Sequence, residues 1–309
     1  MLALTVPWAL VLLLFLAVVF LIWKKRIIAL LIILVLILVN KQFECFPIRL
    51  CKQNPSDKEI SLKVIGFNIE GSIGSSREKA QSVRNFLQES LPDIVFITEY
   101  DERKPNRLDS LLSEVFNYST YSGQYLFNYF YGNRPFYNFR RLKDTDGKSV
   151  GIYTCYITFN GDTIDLYGCH LASNNYNAEN KRLSYENIDN KNDLETYLKN
   201  MSAAYERRRE EVEVLVQELR KSDHQAIIFG DMNDVCGSPA IRELEDYGLI
   251  DGWWEGGFGY GATIHKPIPY RIDHIMHTHG LKLEHIKVLD SRGISDHNAL
   301  YAAFSWNKL

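Results

Sequence analysis

Gln225-Ala-Ile-Ile-Phe-Gly-Asp-Met-Asn-Asp234 is the stretch from which the fold can be read. Ala226 to Phe229 is an apolar run too short for a helix. It lies between a polar turn ending at Gln225 and Gly230, the pattern of a fully buried strand. Asp231 and Asn233 follow at its end. Residues two apart on an extended chain point the same way. A carboxylate and a carboxamide therefore emerge side by side at a sheet edge, where α/β proteins commonly place ligand and catalytic groups. Taken alone, Gly-Asp-x-Asn also fits an ordinary Asp/Asn turn, so the rest of the chain has to decide.

Outward from this stretch, strands and helices alternate. Leu62–Asn68 and Ile94–Ile97 read as strands, and Arg77–Ser90 as a helix with Ala80, Val83, Phe86 and Leu87 on one face. Leu108–Phe116 suggests another helix. Val150–Phe159 and Asp162–His170 flank Asn160-Gly161, a strong hairpin signal. Ala203–Arg220 is an amphipathic helix with Val212, Leu215, Val216 and Leu219 inward, and Ile241–Tyr247 a short one. Ile272–Met276 and Ala299–Phe304 close the set of strands. The pattern predicts a mixed-sheet α/β fold. Tyr118–Arg141 is dense in aromatic residues without periodicity and reads as short strands and loops. Its Tyr125, Phe127, Tyr129, Phe130, Tyr131, Phe136 and Tyr137 fit a lipid-facing rim, a base-stacking platform or a buried sheet layer.

The first forty residues differ from the rest. Leu2 to Trp23 is almost wholly apolar and uncharged, Lys24-Lys25-Arg26 interrupts it, and Ile27 to Val39 is apolar again. The first run is long enough to span a bilayer. The second would make a helix of about 20 Å against a hydrocarbon core of roughly 30 Å, and would span with local thinning and snorkelling of Arg26 and Lys41. A basic n-region and a small-residue cleavage site are both missing, so a retained hairpin is expected rather than a signal peptide. The expected organisation is a transmembrane helical hairpin over 1–40, a linker over 41–60 and a catalytic domain over 61–309. Basic short loops stay in the cytoplasm, which places the domain outside it; if the second segment does not span, the domain is cytoplasmic. Cys45 and Cys51 are close enough to bridge in an oxidising compartment, while Cys155, Cys169 and Cys236 have no metal spacing.

From Ile60 onward the chain carries 28 basic and 35 acidic residues. A net charge of −7 gives no general attraction for nucleic acid. There is no P-loop, no Gly-x-Gly-x-x-Gly and no Gly-x-Ser-x-Gly.

Polar residues recur at strand ends: Asn68, Glu70, Glu99, His170, Asp231, Asn233, Asp273, Asp296 and His297. Each has an ordinary reading. Glu99 fits a solvated strand end, His170 a satisfied core histidine, Asp273 a partner of Arg271, and Asp296-His297 a turn. Together they form a carboxylate- and amide-rich set with two histidines. That set suits a hard divalent cation with oxygen ligands plus acid–base groups.

Six motifs occur in order: Phe67-Asn-Ile-Glu-Gly71, Pro92-Asp-Ile-Val-Phe-Ile-Thr-Glu99, Gly168-Cys-His170, Gly230-Asp-Met-Asn233, Arg271-Ile-Asp273-His and Ser295-Asp-His297. They resemble those of the endonuclease/exonuclease/phosphatase (DNase I-like) superfamily, over about Leu62 to Phe304. The apolar hairpin with its basic turn resembles the leader of membrane-anchored bacterial members. The resemblance implies a four-layer α/β sandwich, two mixed β-sheets flanked by helices, and Mg2+- or Mn2+-assisted hydrolysis of a phosphoester. It implies Glu99 as metal ligand, with Glu70 or Asp296 adding a second oxygen. Asp231 would orient or deprotonate the attacking water, and Asn233 would hold water or phosphate. His297, oriented by Asp273, would stabilise phosphoryl charge. His170 would bind phosphate or help protonate the leaving oxygen, and Asn68 would orient Glu99 or the site water. The expected partners are a lipid bilayer and a phosphoester, whether lipid headgroup, small phosphoester or nucleic acid, with no obligate protein partner. The expected location is a bacterial inner membrane with the domain facing outward; a membrane-tethered nuclease is the competing function.

Overall fold

The structure, a computed structural model, describes residues 2–43, 61–70, 76–100, 108–120, 128–174, 191–265 and 269–306. Cys45, Cys51, Tyr125 and Phe127 lie outside them, as do Pro267 and most of the linker.

Helices α1 (Leu2–Ile22) and α2 (Arg26–Phe43) form the expected hairpin, turning at Trp23–Lys25. Its expected span is not met: among the described residues, no helix is long and apolar enough to cross a membrane. The apolar run of α2 is bounded by Arg26 at one end and by Asn40, Lys41 and Gln42 at the other.

The remainder runs β1 (Leu62–Asn68), α3 (Arg77–Ser90), β2 (Ile94–Thr98), α4 (Leu108–Leu112), β3 (Tyr118–Ser119), β4 (Asn128–Gly132), β5 (Tyr137–Lys143), β6 (Ser149–Phe159) and β7 (Asp162–His170). Then come α5 (Lys191–Leu219), β8 (Gln225–Asp231), α6 (Pro239–Tyr247), β9 (Ile250–Asp251), α7 (Gly252–Gly256), β10 (Asp273–His277), β11 (Leu281–Leu289) and β12 (Ala299–Trp306). Helix α5 starts twelve residues before the amphipathic pattern is legible. The strand β11 is not among the expected strands, although Leu281 to Leu289 alternates apolar and polar residues with one slip at its bulge; the short β9 and α7 carry no clear signal in the sequence.

Local chemistry explains the boundaries. Ser76 and Ser238 cap α3 and α6 by accepting from Lys79 N and Ile241 N. Leu91, at φ 47°, and Gly248, at φ 109°, end them in the left-handed conformation. Asn160 (φ 54°) and Gly161 (φ 90°) take the positive dihedrals that a two-residue hairpin turn requires.

The strands form two mixed sheets of six, ordered β11-β12-β1-β2-β4-β3 and β5-β6-β7-β8-β10-β9. Each has one parallel pair at its centre, β1–β2 and β7–β8, flanked by antiparallel neighbours. The apolar core between the sheets includes Val64, Phe96, Phe130, Phe229, Ile275 and Phe304. A second core lies under α3 and α4, and a third under α5 and α6. The result is the expected four-layer sandwich. Tyr129, Phe130 and Tyr131 are buried in the first sheet, so this part of the aromatic stretch is a sheet layer rather than a rim or stacking platform.

The backbones of the two sheets come close at Gly66 and Gly230. A Cβ on Gly66 would lie 3.1 Å from Gly230 N, and Gly230 itself sits at φ +130°. Only glycine takes that dihedral without strain. This close approach brings the ends of β1 and β8 together, and the polar residues sit there.

Candidate active site

The parallel pairs bring their C-terminal ends to one side of the sandwich. In the first sheet Asn68 pairs with Thr98, so Glu99 follows immediately beside it. In the second, His170 and Asp273 both pair with Asp231, from opposite flanks of β8. His297 arrives just before β12, and Ser295 ties it down: Ser295 Oγ donates to Asn68 O (2.7 Å) and accepts from His297 N (3.0 Å).

One amide joins the two sheets. Asn68 Nδ2 donates to Glu99 Oε1 at 3.1 Å and to Asp231 Oδ2 at 2.9 Å, while Asn68 Oδ1 accepts from Glu70 N. The other oxygen of Asp231 accepts from Asn233 N (2.8 Å), and Asn233 Nδ2 donates to Leu171 O (2.9 Å). Asp273 Oδ2 accepts from His297 Nδ1 at 2.9 Å. His297 Nε2 then faces Asp231 Oδ2 at 4.0 Å and Asp296 Oδ1 at 3.8 Å. His170 Nε2 lies 3.4 Å from Glu99 Oε1.

The expected residues therefore meet, with one exception. Glu70 is exposed, and its side chain makes none of the described contacts with the others. Asp273 does not pair with Arg271: its partner is His297, and Arg271 turns to Asp251 at 2.9 Å.

The charges are strongly perturbed. Burial opposes ionisation of Glu99, but the hydrogen bond and charge of His170, with Asn68, outweigh it and bring the carboxyl down to about 2. Burial likewise opposes the charge on His170, yet Glu99 and Asp231 push its pKa up. Burial opposes the charge on His297 too, but Asp273 dominates and lifts it to about 10. Asp231 is pushed up, first by burial and then by the negative charge of Asp273.

Two groups of donors could hold a cation. The ligand atoms of Glu99, His170 and Asp231 lie within 4.8 Å of one another, and so do those of Asp231, Asp273 and His297. Glu70 and Asp296 belong to neither. Both oxygens of Asp231 already accept hydrogen bonds, and its side chain is 2% exposed; that of Glu99 is 39% exposed and ionised. Of the two carboxylates in the first group, Glu99 is the more exposed, so a hard cation would reach it from solvent. Asp273 Oδ1 is buried without a hydrogen-bond partner, so the interior holds spare acceptor capacity as well.

Several residues of the site's surroundings are not apparent from the motifs. Arg208 and Glu211 on α5, and Asp234, contact the loops that carry His170 and Asn233. A buried triad of Asp251, Arg271 and His274 lies behind β10. The available signal was spacing: Arg208 falls between Ala204 and Val212 on the apolar face of α5, where a charged residue must be paired.

Residues 65–297 match the Endonuclease/Exonuclease/phosphatase family. The chain belongs to that family. Its members are hydrolases acting on phosphoester bonds, and they use divalent metal ions. No curated protein matches the sequence. Solved structures of the same fold include a humanized D. rerio TDP2, with TM-score 0.58 and 17% identity over 79% of this chain and 99% of that one. An endonuclease/exonuclease/phosphatase from Beutenbergia cavernae gives 0.54 and 15% over 80% and 72%. The 3' phosphatase NExo from Neisseria, bound to product DNA hairpin, gives 0.57 and 15% over 79% and 100%. These likenesses establish the DNase I-like architecture of the endonuclease/exonuclease/phosphatase domain.

Proposed function

We propose that this chain is a magnesium- or manganese-dependent phosphoester hydrolase attached to a membrane by its N-terminal hairpin. The observation that carries the catalytic reading is the Asn68 bridge. One amide fixes Glu99 and Asp231 together, and His297 Nε2 stands 4.0 Å from the same Asp231 oxygen. An ionised carboxylate, a carboxylate of raised pKa and a cationic imidazole thus surround one small volume.

In this reading Asp231 accepts the proton of the attacking water, with Asn233 aligning the water or phosphate. His297, held protonated by Asp273, donates to a phosphoryl oxygen and offsets its growing charge. His170 contacts phosphate or the leaving oxygen from the Glu99 side. Glu99, whose ligand atoms lie within 4.8 Å of those of His170 and Asp231, would hold the divalent ion, which supplies charge neutralisation at the phosphate.

Hydrolysis of bis(p-nitrophenyl) phosphate, a phospholipid, an inositol phosphate, DNA and RNA, each with magnesium and with chelator, tests this. Metal-dependent turnover of at least one is expected. No hydrolysis of any, by folded protein, overturns the reading. A nuclease is the second reading, because D. rerio TDP2 was solved with a single strand DNA product and NExo with a DNA hairpin. The domain's charge of −7 weighs against it.

Membrane attachment is supported by the hairpin's surface. Phe15, Ile22, Trp23 and Ile27 are 62–76% exposed, where water makes their burial in lipid favourable. Removing residues 1–43 should release the enzyme from membrane fractions. The Lys24-Lys25-Arg26 turn would place the domain outside the cytoplasm only if both helices span, and a reporter active only in the cytoplasm, fused after Leu309, tests that by staying silent.

A further inference from the structure

We infer that α5 is a positioning clamp for the reaction centre, with Arg208 at its pivot. Through Asp234 on one side and Ala172 and Asn174 on the other, Arg208 holds Asn233 and His170 in catalytic register. This rests on the hydrolase reading proposed above.

Arg208 is fully buried. Its Nε donates to Asp234 Oδ2 (2.9 Å), Nη1 to Ala172 O (2.7 Å) and Nη2 to Asn174 Oδ1 (3.0 Å). The guanidinium also lies 4.4 Å from the centre of the Tyr205 ring. One planar fork therefore grips two loops that the chain separates by about sixty residues. The first follows β7 directly after His170, and the second follows β8 directly after Asn233.

Glu211, almost one turn further along α5, grips the same ground from the other polarity. It accepts from Ala172 N (2.9 Å) and Gly151 N (3.1 Å). Between the two grips, the loops are stitched together: Leu171 N donates to Asp231 O, and Asn233 Nδ2 donates to Leu171 O. Asn233 itself sits at φ 50°, in the left-handed region that Asn enters more readily than other non-glycine residues. From behind, His274 Nε2 meets Asp234 O at 3.0 Å. The segment from Asp231 to Asp234 is thus held from α5, from the loop after β7 and from β10.

A purely structural role does not require this arrangement, since well-packed apolar residues often stabilise as well as a buried ion pair. A fork aimed in three directions does something packing cannot: it sets the relative position of two loops. Lysine cannot reproduce it, having a single point of charge on a flexible stem.

The test compares Arg208→Met, Arg208→Lys and Asp234→Asn with Arg209→Met, a control at an exposed position of the same helix. Two readouts are needed: kcat and KM on bis(p-nitrophenyl) phosphate with magnesium, and the NMR signals of the Asn233 side-chain amide and His170 imidazole without substrate. Displacing a positioned group by about 1 Å costs on the order of a hundredfold. Arg208→Met should therefore lose about that much in kcat with KM within about threefold of the parent. Arg208→Lys should recover part of the loss, both NMR signals should move, and the control should match the parent. The clamp is overturned if Arg208→Met melts cooperatively yet keeps kcat within about threefold. It is equally overturned if KM rises at unchanged kcat, or if the two signals stay in place. Should Arg208→Met fail to fold, Asp234→Asn, which keeps shape and removes charge, carries the same criteria. Should the parent hydrolyse no phosphoester, the hydrolase reading fails, and the two signals still decide whether the clamp exists.

Discussion

Asp231 and Asp273 stand directly opposite each other on β8 and β10, both buried. Two carboxylates so placed resist carrying charge together. The fold separates them by partner. Asp273 is committed to His297 at 2.9 Å, while Asp231 accepts from Asn68 and Asn233. Burial and the charge of Asp273 then push the pKa of Asp231 up, which makes it a stronger base than an ordinary aspartate.

Asp231→Asn keeps the shape and removes the basicity. A fall in turnover of about 10²–10⁴-fold is expected, with KM little changed. His297→Ala should lose about 10²–10³-fold through lost charge stabilisation. The double variant should lose less than the product, because both groups serve one transition state. Single-turnover rates, with folding checked by thermal melts, measure this. Normal melting with turnover within about threefold of the parent, well short of a general base's contribution, would remove Asp231 from its role.

Glu99→Gln should weaken magnesium or manganese binding by about 10–100-fold, in the range seen when a metal's supporting contacts are altered. Its half-exposed position means the fold should survive. Calorimetric titration of the metal into parent and variant reads this without substrate. Equal affinities would place the ion elsewhere.

Asp251 gives a pH dependence of stability. Burial opposes its charge, but Arg271 and His274 outweigh that and hold the carboxyl well below its ordinary value. A carboxylate depressed in the folded state contributes stability above its unfolded pKa, and that contribution is lost as pH falls through the folded one. Asp251→Asn should cost about 3–5 kcal/mol at neutral pH, as when one partner of a buried pair is removed. The gap from the parent should narrow below about pH 4, near the unfolded carboxylate's pKa. Denaturant midpoints across the acid range would show it; curves that stay parallel contradict the assignment.

Gly168→Ala tests the contact between the sheets. A Cβ there would fall 2.3 Å from the Phe96 ring, which is itself packed against Phe130 and Phe229 and has no room to swing away. Overpacking of this kind costs about 1–3 kcal/mol. An unchanged denaturation midpoint would mean that the two sheets can separate locally.

Much of this protein is decided by short-range pattern. The runs Leu62–Asn68 and Asp162–His170 became strands at the residues indicated, and Ala226–Phe229 became one that extends to Gln225 and Asp231. Helix α3 begins and ends where its spacing, serine cap and Pro92 place it. Because side-chain direction on a strand alternates with period two, the same pattern told which polar residues would emerge at strand ends. Eight of the nine candidate residues do lie together, Asn68, His170, Asp231 and Asp273 at strand ends and the others in the adjoining turns, with exposed Glu70 the exception.

Tertiary structure alone decided who partners whom. Asn68 and Asp231 are 163 residues apart and meet only because the two sheets close at Gly66 and Gly230. Arg271 is two residues from Asp273 yet turns to Asp251, leaving Asp273 for His297. Arg208 lies on the apolar face of α5, and only the fold brings two loops within reach of its guanidinium. Sterics and burial act over a few residues and are written in the local order of the chain. Charge pairing acts through space, so it is set only when distant strands have been brought side by side.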